Sequence, residues 1–190
     1  MTGETIATAN WRALDRVGED SCRLVRTAGG WLLVGHARFH DTDGFAALDY
    51  IVRCDEAWHT LSADVSGLHS DKTIRVALHR TQESWALNDT LQPQVSGAMD
   101  VDLSFTPATN LMPLRRLMDG DALKVTTRAA WLRYPSCELA PLDQTYAIED
   151  MEVVYSARQT GYSTELGFDS SGFVTNYPGL WSGEVIHAAA

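Results

Sequence analysis

The stretch Asp100–Leu117, "DVDLSFTPATNLMPLRRL", begins as a strand and ends as a helix. Val101, Leu103 and Phe105 alternate with Asp100, Asp102 and Ser104, the period of two expected of a half-buried strand. Pro107 ends that strand, because proline has no N–H to give to a ladder. Thr106, Thr109 and Asn110 then satisfy nearby backbone groups through side-chain turns. Pro113 fits the first position of a helix, "PLRRLM" places Leu114, Leu117 and Met118 on one stripe, and Gly120 stops it. A helix this short does not stand alone, so its stripe must pack on a sheet. The rival reading keeps "MPLRRL" extended, with Arg115 and Arg116 on opposite faces. Under either conformation the two arginines diverge: one is placed to pair with Asp100 or Asp102, the other to face a groove.

On both sides of this stretch the period of two dominates. In "FAALDYIVRCDEAW" Ala46, Leu48, Tyr50, Val52 and Cys54 share a face; in "HTLSADVSGL" Leu61, Ala63 and Val65 do, with Thr60 opposite. "KTIRVALHR" and "ALKVTTRAAW" continue the pattern, and "MEVVYS", "YSTELGFD" and "GFVTNYP" add strands near the C-terminus. Polar turns such as "HDTDGF", "RQTGY" and "DSSGF" separate them, as hairpins require. Helical signal is sparse: Asn10 to Arg16 reads as a weak amphipathic turn and "EVIHAAA" as a frayed tail. The expectation is an all-β chain with one or two short helices. Ten to twelve strands form a single curved antiparallel sheet, an open or half β-barrel, because so many twisted strands must curl.

The 190 residues fit one domain. A net charge of −10 argues against nucleic acid and anionic membrane surfaces, since both bind through clustered Lys and Arg. Cys22, Cys54 and Cys137 are scattered, with no CxxC pair, and read as reduced thiols. The chain shows no basic start followed by an apolar run and no apolar stretch of membrane-spanning length, which predicts a cytoplasmic protein without integral membrane association.

No short motif assigns a reaction. His36 and His40 lie on a strand, where residues four apart are about 13 Å from each other and cannot share an ion. "DTDG" at Asp41 lacks the glutamate of a calcium loop. No metal site, cofactor or catalytic nucleophile is expected. Asp100 and Asp102 share a strand face about 7 Å apart, close enough for paired carboxylates, though such pairs are usually solvated or matched with arginine.

With its neighbours the opening stretch carries a resemblance. "DVDLSFTPATNLMPLRRL", "YPSCELAPLDQTY" and "GFVTNYPGLW" closely resemble the bacterial proteins grouped as "putative glycolipid-binding", and "LDYIVRCDEAWHT" fits an earlier part of their pattern. The chain departs from it at Ala108, where an aromatic is expected, and at Leu111 and Met112, where threonine and leucine are. The resemblance implies a curved antiparallel half-barrel similar to that of periplasmic lipoprotein carriers. It also implies a non-catalytic carrier of an amphiphile, with the tail along Leu48, Tyr50, Val52, Leu123, Val125 and Trp131. The head group is then expected near Asn110, Asp100, Asp102 and Gln144, with Arg115 or Arg116 holding an acidic group and Trp58, Trp131, Tyr146 and Trp181 offering rings. Two other readings stay open: an enzyme using Asp100 and Asp102 with Arg115 and Arg116, and a partner-binding protein using open sheet edges.

Overall fold

A computed structural model describes residues 3–82, 84–149 and 152–188. Its strands are β1 (Glu4–Ala13), β2 (Gly18–Thr27), β3 (Gly30–Asp41), β4 (Gly44–Cys54), β5 (Thr60–His69), β6 (Lys72–Arg80), β7 (Trp85–Leu87) and β8 (Thr90–Gln92). They continue with β9 (Asp100–Leu103), β10 (Lys124–Arg133), β11 (Glu138–Glu149), β12 (Glu152–Ala157), β13 (Tyr162–Phe168), β14 (Val174–Tyr177) and β15 (Trp181–His187). All fifteen belong to one curved open sheet, in the order β8-β7-β6-β5-β4-β3-β2-β1-β15-β14-β13-β12-β11-β10-β9. The expected all-β architecture is present, with more strands than the ten to twelve predicted.

The additional strands have physical origins. Asn10 to Arg16 is not a helical turn: Ala7, Ala9, Trp11 and Ala13 alternate as the buried face of β1, a period of two muted by its small residues. "EVIHAAA" is not frayed where it is described, because β15 pairs with β1 from Trp181 to His187; Ala189 and Ala190 lie outside the described residues. Asn88 and Asp89, both at positive φ, close the two-residue turn between the short strands β7 and β8.

One strand pair is not antiparallel. β9 runs parallel to β10, with Asp100 opposite Ala129 and Leu103 opposite Leu132. The chain leaves β9 through a 3-10 turn at Ala108–Asn110 and helix α1 (Leu111–Asp119), then returns as β10. Such a crossover is what parallel pairing requires. The helix begins two residues before Pro113, and Gly120 ends it in an extended conformation. β5 also departs from strict alternation. A register shift opposite Arg53 and Cys54 turns Thr60 inward and leaves Leu61 exposed.

Curling buries the opening stretch. Phe105 through Leu114 are buried at every position, covering the inner wall where Leu48, Tyr50 and Val52 lie. The wall expected to hold a ligand tail is therefore occupied by the protein itself. Leu123 falls outside β10 and is exposed, while Val125 and Trp131 pack at the margin of the core. The free edge of β9 is also closed. Thr60 N donates to Met99 O (3.0 Å), and the hydroxyls of Thr60 and Thr109 accept from Val101 N (3.2 Å) and Leu103 N (3.4 Å). Blunting of this kind protects an edge strand from pairing with another chain.

Candidate functional site

Strand direction brings many functional side chains to one end of the curl. β1, β3, β9, β10, β12 and β14 all finish there, and β2, β4, β11, β13 and β15 start there. Residues 138–143 of β11 have no partner in β12, so the β10–β11 hairpin overhangs this mouth. Paired positions share a face, which puts Asp100, Asp102, Thr127, Trp131, Gln144 and Tyr146 on the inner side together.

Asp100 is closed off. Both of its oxygens accept from Arg116, at 2.8 and 2.5 Å, and Oδ2 also accepts from the Thr127 hydroxyl at 2.7 Å. Arg116 donates in addition to Trp58 O. Asn110 Oδ1 accepts from the Tyr146 hydroxyl at 2.8 Å while its amide donates to Pro107 O. These groups fasten the buried segment and α1 to the sheet.

The two arginines diverge as expected. Arg115 takes the far side of the helix, donating to Ser170 O (3.1 Å) and to Asp119 (2.7 Å), with its guanidinium 5.2 Å from the Trp58 ring. It does not approach Asp100 or Asp102, so the four residues do not form one centre.

Asp102 is different. It is half-buried, and its hydrogen-bond partner is Gln144 Nε2 at 2.8 Å. Loss of water pushes its carboxyl up to about 6, and the charge of Asp100 adds to this, while the Gln144 amide pulls the other way. The same amide reaches the Tyr155 hydroxyl at 3.1 Å. Tyr155, Tyr162 and Tyr177 form a triangle of rings with centroids 6.0–6.3 Å apart. Trp131, half-buried, faces the Asp102 position across the β9–β10 pair.

The three tyrosines were not among the residues expected to bind. Their signal was present, since "MEVVYS", "YSTELGFD" and "GFVTNYP" each bring one tyrosine to the same end of neighbouring strands. Only the antiparallel order shows that they meet. Of the expected rings, Trp58 stacks on Trp31 away from the mouth, and Trp181 lies at its rim. Among the described residues no cluster of His, Cys, Asp or Glu is arranged to hold a metal, and no helix is long and apolar enough to cross a membrane.

Residues 8–183 match the family described as "Putative glycolipid-binding". The chain belongs to this family. A crystal structure of a DUF1089 family protein from Pseudomonas aeruginosa is similar to this glycolipid-binding family member, with a TM-score of 0.72 at 24% identity, over 86% of this chain and 91% of that chain. The likeness shows a shared fold. No curated protein matches this family member.

Proposed function

We propose that the mouth binds the sugar head of a glycolipid-type amphiphile without catalysing a reaction. The observation that carries this reading is the half-buried Asp102 carboxyl, bonded to Gln144 and set among tyrosine rings. A carboxyl and an amide exchange hydrogen bonds with sugar hydroxyls, while aromatic faces cover the apolar C–H side of a pyranose. Few convergent polar groups on an aromatic wall are the usual make-up of a small-molecule site. The family description supports the ligand class.

The closed Arg116–Asp100 pair speaks for binding over catalysis, because it removes the acid–arginine centre an enzyme would have used. With the inner wall filled, the tail lies outside the curl, along the apolar lip of the mouth. The three free thiols, Cys22, Cys54 and Cys137, favour a reducing compartment such as the cytoplasm.

Calorimetric titration with dodecyl maltoside and with free maltose tests the reading. Binding of the alkyl glycoside, weakened about tenfold in Trp131→Ala and in Asp102→Asn, is the expected result. No binding of any alkyl glycoside, or equal affinity in the variants, overturns it. Release of free sugar from the glycoside would replace binding with hydrolysis.

A further inference from the structure

The tip of the β10–β11 hairpin reaches across the mouth. Residues 134–137 project beyond the buried pair Leu132 and Leu139, and β12 gives no support this far along. Tyr134 makes the crossing. Its ring meets Phe39 of β3 at 5.6 Å, Phe105 at 5.6 Å and His69 of β5 at 5.2 Å. In the sheet β2, β1, β15, β14, β13, β12 and β11 lie between β3 and β10, so this contact joins the two arms of the open curl. The socket itself is fixed: His69 Nε2 lies 3.1 Å from Asp41 Oδ1, and the Arg16 guanidinium lies 4.4 Å over Phe39.

The tip is tied mainly to itself. Cys137 N and the Ser136 hydroxyl both donate to Arg133 O, and Arg133 pairs with Glu138 across the exposed base. Among the described residues its one hydrogen bond to the rest of the chain runs from Tyr134 N to Ser104 Oγ, at 3.0 Å. Cys137 holds φ at 54°, a left-handed conformation that is costly for a residue with a side chain.

The shut position also carries a flaw. The Tyr134 phenol oxygen is buried there with no partner among the described residues. Burial and the charge of Asp41 keep the phenol protonated, so it is a donor without an acceptor. Asp41 itself is taken up by Asp43 N, Gly44 N and His69. A bond left unmade in this way is costly, and lifting the ring into water removes the cost. Ring packing favours the shut position and the phenol opposes it, which brings the two positions close in free energy.

We propose that residues 134–137 are a movable strap, held across the mouth by the Tyr134 ring and lifted to admit and release ligand. The strap starts from the strand pair that carries the candidate site: Trp131 faces Asp102 there, and Ser104, just beyond Asp102, takes the Tyr134 N–H. Its role in ligand passage rests on the sugar-binding reading of the mouth; its motion does not.

Cys137, half-buried in the tip, is the reporter, because Cys22 and Cys54 are buried and react only when the whole fold opens. Iodoacetamide labelling, with each thiol assigned by peptide mass spectrometry, is compared in the parent, Tyr134→Phe and Tyr134→Ala. Cys137 is expected to react ahead of the other two thiols in the parent. Tyr134→Phe, which keeps the ring and loses the orphan oxygen, should slow it about tenfold, and Tyr134→Ala should speed it about tenfold. Cys137 reacting in step with Cys22 and Cys54, or at an unchanged rate in Tyr134→Phe, overturns the strap. Stopped-flow fluorescence with dodecyl maltoside then follows passage. Association and dissociation should slow together in Tyr134→Phe with affinity unchanged. A change in dissociation alone makes Tyr134 a ligand contact and overturns the gating. The expected labelling pattern with no binding of any alkyl glycoside overturns the sugar reading and leaves the strap standing.

Discussion

Arg116 closes both terminal nitrogens onto the two carboxylate oxygens of Asp100, sixteen residues earlier in the chain. The Asp100 side chain is 2% exposed and that of Arg116 15%. Such a pair costs little while complete and a great deal when broken, because the remaining charge stays buried.

Arg116→Ala is therefore expected to lower unfolding free energy by about 3 kcal/mol. Arg115→Ala, which removes a more exposed ion pair with Asp119, is expected to cost about 1 kcal/mol. Urea unfolding of the two single variants measures the difference. Equal losses would show that Arg116 is no more than a surface contact.

Asp20 gives the protein a pH dependence inside the neutral range. It is buried without an ion-pair partner among the described residues, and accepts from the Tyr50 hydroxyl (3.1 and 3.0 Å) and from Thr106. Burial pushes its carboxyl up to about 7, against lowering contributions from Thr106, Tyr50, the Ser21 backbone and Arg38. The folded state thus holds a proton that the unfolded chain releases near 4. Stability from this group is complete below about 4 and is lost as pH rises through about 7, with a slope of at most about 1.4 kcal/mol per unit. Asp102 adds the same trend up to about 6. Asp41 and Asp143, whose carboxyls are lowered, act in the opposite sense below about 4. Urea midpoints measured from pH 4 to 8 should fall with pH and flatten in Asp20→Asn. A profile that Asp20→Asn leaves unchanged would exclude this assignment.

Gly35 makes room for the Tyr50 phenol. A methyl group built there would sit 2.3 Å from Tyr50 Cζ and from its oxygen. Gly35→Ala is expected to push Tyr50 off Asp20 and destabilise the fold by about 2 kcal/mol. The loss should shrink in a Tyr50→Leu background, where neither Cζ nor the hydroxyl is present. Full additivity of the two changes would show that they do not share this contact.

Thr60 guards the edge of β9. Thr60→Val keeps the shape but leaves Val101 N without its acceptor, at an expected cost of about 1–2 kcal/mol. An edge with a free donor also invites pairing, so the variant should associate at concentrations where the parent does not. Sedimentation velocity across a concentration series checks both chains.

Much of this was legible in the residues. The alternation of Leu48, Tyr50 and Val52 and the turn chemistry are local, and the strands followed. β1 was missed because alanine contrasts weakly with its polar neighbours, and the exposure of Leu61 because a bulge leaves no mark in composition. Parallel pairing of β9 was equally hidden, since hydrophobic alternation is the same for either direction of the partner.

At the site, the sequence alone established that Asp100 and Asp102 share a face and that Arg115 and Arg116 part ways, because strand and helix periods fix both. It also carried the family, through the long run from Asp100 to Leu117. Tertiary structure decided which of those groups remain available. Asp100 is matched by Arg116 and Asn110 by Tyr146, whereas Asp102 keeps a half-buried position beside Tyr155. The tyrosine triangle and the Arg16–Phe39–Tyr134 corner came into view only with the strand order. Backbone periodicity is set within a few residues. Whether a polar group is satisfied depends on partners brought from far along the chain, such as Asp20 and Thr106, 86 residues apart.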